Sequence, residues 1–184
     1  CASTISKTIY CYTMDGINVK SDIACEGDAV EIYANDGTSN LGRGYSFSFY
    51  EMDKSDCGDD AECEEAHTLN RLVNTTNSVK VNNISYRHYK TTKLPEYVYD
   101  QDAKEYKIDP RYVKVIASRD YTSDIDGTAF TVTCKSAPII KQIPIQAKPR
   151  LEVKFYSDKN CQNEVVDGVC PGSTVYMSVK TKNA

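Results

Sequence analysis

The feature that most constrains this chain is a period of two. Apolar and polar residues alternate through KTIYCYT (7–13), AVEIYA (29–34), YSFSFYEM (45–52) and SVKVNNISYRHY (78–89). The same pattern runs through EYVYD (96–100), YVKVIAS (112–118), AFTVTCKS (129–136), LEVKFYS (151–157) and TVYMSVK (174–180). Side chains on a strand point to opposite faces in turn, so such runs build sheets with one face buried and one wet. Turn-forming residues separate them: Asn35-Asp36-Gly37, Asp109-Pro110, Asp126-Gly127 and Pro171-Gly172. The expectation is all-β, an antiparallel β-sandwich. The stretch 59–73, poor in β-branched residues, suits one to three helical turns and reads as a short acidic insertion. Three prolines within 136–149 keep that segment from being a central strand, and it reads as an edge strand leading into a linker.

A second pattern lies on top of the first. CEGDAVEIYA (25–34) and CPGSTVYMSV (170–179) share a Cys, one residue, a Gly, two residues and then alternating apolar positions, offset by 170 − 25 = 145 residues. IYCYT (9–13) precedes the first copy and VKFYS (153–157) the second. This divides the chain into a domain at 1–148 and a partial second β-unit of two strands at 149–184. A lone hairpin is marginal in water. The apolar row Val153, Phe155, Val175, Met177 and Val179 is therefore expected to be covered from elsewhere. The cover is the first domain, a following segment of a tandem array, or a neighbouring molecule in a head-to-tail homopolymer.

Eight cysteines stand without a CxxC pair and with only two histidines, which reads as disulfides in an oxidising compartment rather than as a zinc site. The repeat pairs Cys11 with Cys25 and Cys161 with Cys170. The short loop in the insertion pairs Cys57 with Cys63, and Cys1 with Cys134 completes the set. Lipidation of Cys1, the competing reading, would leave an odd number. The chain begins at Cys1 without Met, as expected if processing or design removed what came before. The sequons at Asn74 and Asn83 agree with an extracellular, cell-surface setting.

A net charge of −4 argues against a nucleic-acid partner, and no apolar run approaches the roughly 20 residues of a transmembrane helix. Residues 148–184 carry +2, which leaves −6 on the rest. No nucleophile elbow, zincin or phosphate-loop motif occurs, and His67 and His88 read as exposed or packed histidines, so no catalytic residue is expected. Asp120, Asp124 and Asp126, alternating ahead of Gly127, suggest an oxygen cage for calcium; otherwise no cofactor is implied. Tyr86, Tyr89, Tyr97, Tyr99, Tyr106 and Tyr112 form either core packing or a glycan platform.

The Cys/Gly turn followed by DAVEIYA or STVYMSV, repeated in tandem, resembles the Ig-like β-sandwich repeats of extracellular surface proteins, among them prokaryotic adhesins, pili and envelope filaments. The antibody type is not implied, because the chain has no Trp and carries Val132 where that type has Tyr before its late Cys. The resemblance implies an Ig-like sandwich and a structural, non-enzymatic role, as a subunit of a surface filament or tandem array that assembles by sharing strands. The alternative is a receptor or adhesin ectodomain that binds a protein or glycan.

Overall fold

A computed structural model describes residues 17–37, 44–55, 57–58, 60–125 and 127–182. In chain order the elements are β1 (Asn18–Ser21), β2 (Ala24–Cys25), β3 (Glu31–Asn35), β4 (Ser46–Met52), α1 (Ala61–His67), β5 (Thr68–Thr75), β6 (Ser78–Val81) and β7 (Ile84–Lys90). There follow β8 (Val98–Asp100), β9 (Glu105–Lys107), β10 (Tyr112–Ile125), β11 (Thr128–Lys135), β12 (Ile139–Gln142), β13 (Ile145–Gln146), β14 (Arg150–Tyr156) and β15 (Tyr176–Lys182). The fold is all-β with antiparallel pairing and, among the described residues, one short helix. No helix among the described residues is long and apolar enough to cross a membrane.

The chain divides into two compact units. The first takes residues 1–95 and 109–145, and the second takes 96–108 and 146–184. The division is discontinuous: the β8–β9 hairpin, which the alternation alone would leave with the first domain, groups with the tail.

Among the described residues, two larger sheets make most of the first unit, in the orders β1-β3-β7-β6 and β11-β10-β4-β5, with β12 also on β10. They bury one cluster: Val19, Val30, Ile32, Ala34 and Tyr89 from the first sheet meet Phe47, Phe49, Val113, Val115 and Ala117 from the second. Phe49 and Tyr89 stack at 5.8 Å. Alternation explains the selection, since these are the inward positions of their strands.

Several polar residues are buried in this unit, among them Glu26, Arg87 and Glu51. Glu51 on β4 is fully enclosed. It accepts hydrogen bonds from Tyr89 Oη (2.9 Å), Thr92 N (2.8 Å) and Thr92 Oγ1 (2.5 Å). Arg111 Nε lies 4.0 Å away. Burial, and then the Glu51 charge, push the Tyr89 phenol above its usual range, so Tyr89 is a donor at any working pH. The cluster ties β4 to the segments beside both ends of 96–108, the excursion into the second unit.

Several expectations need correction. The one to three helical turns expected within 59–73 are met by the seven residues of α1, and the stretch from Thr68 onward is strand. Asp60 caps α1 by accepting from the amides of Glu62 (3.0 Å) and Cys63 (3.1 Å), and Thr68 already opens β5. Pairing with β4 decides this, because Leu72, Val73 and Thr75 suit a strand once a partner is present. The single strand read at 78–89 is two, β6 and β7, joined by Asn82 (φ 51°) and Asn83 (φ 63°). Positive φ at both central residues defines a type I′ hairpin turn, which Asn tolerates. The 136–149 segment does place β12 on the edge of β10.

The disulfides divide. Cys57–Cys63 forms, as the short loop predicts. Cys134 is disulfide-bonded, while its expected partner Cys1 lies outside the described residues. The Cys161–Cys170 pair does not form, and Cys25, Cys161 and Cys170 are exposed free thiols. Cys161 and Cys170 are held in separate turns, closed by Cys161 N to Asp158 O (3.2 Å) and Ser173 N to Cys170 O (3.1 Å). The Cys11–Cys25 expectation fails at Cys25, and Cys11 lies outside the described residues.

Two measurements check this account. Glu51→Leu should cost about 3–5 kcal/mol in denaturant, because it leaves Arg111 without its counter-charge and three donors, the buried Tyr89 hydroxyl among them, without their acceptor; a cost under about 1 kcal/mol would overturn the role given to Glu51. Alkylation of the native, unreduced protein should label Cys25, Cys161 and Cys170 and spare Cys57, Cys63 and Cys134.

Candidate functional site: an uncovered apolar sheet

The two copies of the repeat fold the same way at their start. In the first, Asp28 N donates to Cys25 O (3.2 Å) around Gly27 at φ 74°. In the second, Ser173 N donates to Cys170 O (3.1 Å) around Gly172 at φ 86°. Positive φ at the third residue alone makes each a type II turn, which explains the shared Gly; Pro171 presets the second residue. The following strands begin at Glu31 and Tyr176, keeping the offset (176 − 31 = 145).

The environments then part. Val30, Ile32 and Ala34 are 5%, 0% and 0% exposed. Their counterparts Val175, Met177 and Val179 are 37%, 61% and 48% exposed. On β14, Leu151, Val153 and Phe155 are exposed as well. The β14–β15 register sets Val153 opposite Val179 and Phe155 opposite Met177, so these side chains share one face. Beside them Phe155, Val165, Val166, Gly168, Val169 and Val175 line a shallow apolar groove.

The other face of this sheet is polar. It presents Arg150, Glu152, Lys154, Tyr156, Ser178 and Lys180, and Glu152, Lys154 and Tyr156 are half-buried. Arg150 Nη2 donates to Tyr97 O (3.0 Å), and its guanidinium lies 4.6 Å from the Tyr106 ring. Tyr106 itself meets Tyr99 edge-on at 5.1 Å. The β8–β9 segment thus attends the polar face, while the apolar face stays open.

The loop after β14 is organised by its own hydrogen bonds. Asp158 accepts from the amides of Asn163 (2.6 Å), Asn160 (2.9 Å) and Gln162 (3.1 Å), and these donors, Asn163 first, hold its carboxyl below the usual range. Val165 N donates to Phe155 O (2.8 Å), and Lys154 pairs with Glu164 at 2.8 Å. The strand connection is therefore ordered without cover on the apolar side.

The remaining candidates separate. Asp120 and Asp124 lie on β10, which continues to Ile125, so these two carboxylates sit on a strand and not in a loop. Four residues of strand separate them by roughly 14 Å, too far for one coordination shell. Asp120 accepts from Thr133 Oγ1 (2.6 Å), Asp124 accepts from Gly127 N (2.9 Å), and Asp126 lies outside the described residues. No group of three metal-ligating side chains occurs among the described residues.

His67 Nδ1 pairs with Asp53 at 2.8 Å, beside an open depression whose lining offers no Ser, Thr or Cys nucleophile. His88 pairs with Glu31 at 3.2 Å. Tyr86 and Tyr89 are core residues, so the tyrosine run does not present all six rings to solvent. Asn74 and Asn83 are both exposed, and the Asn74 Oδ1 accepts from Ser48 (3.3 Å) and Ser118 (3.4 Å).

No family model, curated protein or solved structure matches this chain.

Matched substitutions at equivalent positions test the asymmetry. Ile32→Ala should cost about 2–5 kcal/mol, as for a core aliphatic residue. Met177→Ser, 145 residues later on the repeat, should change the stability of the dilute, unassociated chain by less than about 0.5 kcal/mol. Equal costs would mean that Met177 is covered within the single chain.

Proposed function

We propose that this protein is a non-enzymatic structural component of an extracellular surface assembly, an Ig-like filament or tandem array. Its second unit is completed by strands from outside that unit. One observation carries the reading: the positions that fill the core in the first copy of the repeat lie bare in the second. A row holding Leu151, Val153, Phe155, Val175, Met177 and Val179 is far from the scattered single apolar residues of an ordinary surface. Each such side chain contributes about 1.5–3 kcal/mol when fully covered, so a matching sheet or strand gains a substantial driving force. Both strands of a two-stranded sheet also have an outer edge, and such edges recruit further strands.

Other features support the setting. The antiparallel all-β fold suits a surface repeat, a disulfide closes the acidic insertion, and both sequon asparagines face solvent. The three free thiols weigh the other way, since an oxidising compartment tends to pair them. The alternative, an ectodomain that uses a tyrosine platform, draws less support, because Tyr86 and Tyr89 are spent in the core.

Sedimentation and electron microscopy of the purified protein test the proposal. The unmodified chain should form concentration-dependent oligomers or filaments. Phe155→Asp with Met177→Asp should leave a folded monomer, since both positions are exposed. Assembly by the double variant equal to that of the parent would refute the proposal.

A further inference from the structure

The open face calls for a cover of particular size and chemistry, and the first unit carries one. Strand β10 pairs with β4 only from Tyr112 to Ser118. Beyond that, among the described residues, it pairs with β11 alone, from Arg119↔Cys134 to Ile125↔Thr128. This is a two-stranded arm of seven residue pairs past the last β4 partner. The β14–β15 sheet is likewise two-stranded and seven pairs long, from Arg150↔Lys182 to Tyr156↔Tyr176. At about 3.4 Å per residue, each spans roughly 24 Å.

The arm has two unlike faces. One presents Asp120, Thr122, Asp124, Ala129, Thr131 and Thr133, with Thr122–Thr131 and Asp120–Thr133 hydrogen bonds across it. The other presents Tyr121, Phe130 and Val132 beside Arg119, Ser123 and Cys134, and Phe130 and Val132 are 48% and 38% exposed. The charges are also of opposite sign. Asp120 and Asp124 outnumber Arg119 on the arm, while Arg150, Lys154 and Lys180 outnumber Glu152 on β14–β15.

We infer that the apolar face of β14–β15 in one copy of this chain is covered by the β10–β11 arm of a second copy. The inference rests on the assembly reading above and names the partner. Face-to-face packing of two such hairpins at about 10 Å places Phe130 and Val132 against the row of Phe155, Met177 and Val179. It supplies the second layer that Phe47, Phe49, Val113 and Val115 supply to the equivalent row in the first unit. The contact joins two different surfaces, so each copy offers one arm and one open face, and the association is head-to-tail. Asp120 and Asp124 of the arm and the basic groups of β14–β15 sit on the outward faces, within about one Debye length of each other at low salt, and steer the encounter rather than hold it.

Complementation between two variants reads this directly. Phe130→Asp with Val132→Asp removes the arm surface; Phe155→Asp with Met177→Asp removes the open face. Circular dichroism and melting confirm that each is folded, and the milder pair Phe130→Ser, Val132→Thr replaces the arm variant if it is not. Each variant alone should self-associate at least about tenfold more weakly than the parent. Their mixture should form a one-to-one dimer that grows no further, because only one intact arm and one intact face remain to meet. Raising the salt should weaken this dimer severalfold.

If the arm variant self-associates like the parent while the face variant stays monomeric, the partner named here is wrong and the assembly reading survives. A mixture of two monomeric variants that fails to pair also overturns the arm as partner. A face variant that assembles like the parent overturns both.

Discussion

Everything in the first unit depends on one apolar contact between two sheets. Ile32 and Ala34 on β3 have no exposure left, because Phe47, Phe49, Val113 and Val115 occupy the facing layer. A strand with one apolar face is stable only when that face has a counterpart, since the hydrophobic gain scales with the area removed from water. The turn that launches β3 also launches β15, with its Gly in the same conformation. What the second unit lacks is the facing layer, and the molecule's exposed apolar residues concentrate where it is missing.

The buried Glu51 shows how the first unit holds its connections. A carboxylate with no solvent exposure persists only when its oxygens are satisfied, and here Tyr89 and Thr92 provide the donors beside Arg111. Thr92 and Arg111 lie close to Pro95 and Asp109, where the chain leaves the first unit for the β8–β9 hairpin and returns. The cluster therefore anchors the base of an excursion that a purely apolar core would leave untethered. Lys114 on β10, paired with Glu64 on α1, fixes the acidic insertion in a similar way.

Much of this was legible in the alternation of residues. Eight of the nine predicted runs contain observed strands or parts of them, the ninth (7–13) lying outside the described residues, and the edge position of 139–142 followed from its prolines. The Cys57–Cys63 bridge followed from the short loop. Other features were hidden for identifiable reasons. Thr68–Thr75 has a strand's composition only in its second half, and β4 recruits the rest. Asp120 and Asp124 resemble cation ligands when read in a row, but a strand spaces them too far apart. The thiols of Cys161 and Cys170 are close in sequence, yet the Asp158-centred turn and the Pro171-Gly172 turn settle each separately.

By itself the sequence determined the strand positions, the type II turns and the 145-residue repeat, because side-chain alternation and glycine's access to positive φ are local properties. Only the tertiary structure decided which copy of the repeat is covered. Val30, Ile32 and Ala34 carry the same local pattern as Val175, Met177 and Val179, and burial is a property of the facing layer, which no local pattern contains. The grouping of residues 96–108 with the tail is of the same kind, since it arises from contacts such as Arg150 with Tyr97 and Tyr106, more than 40 residues apart in the chain.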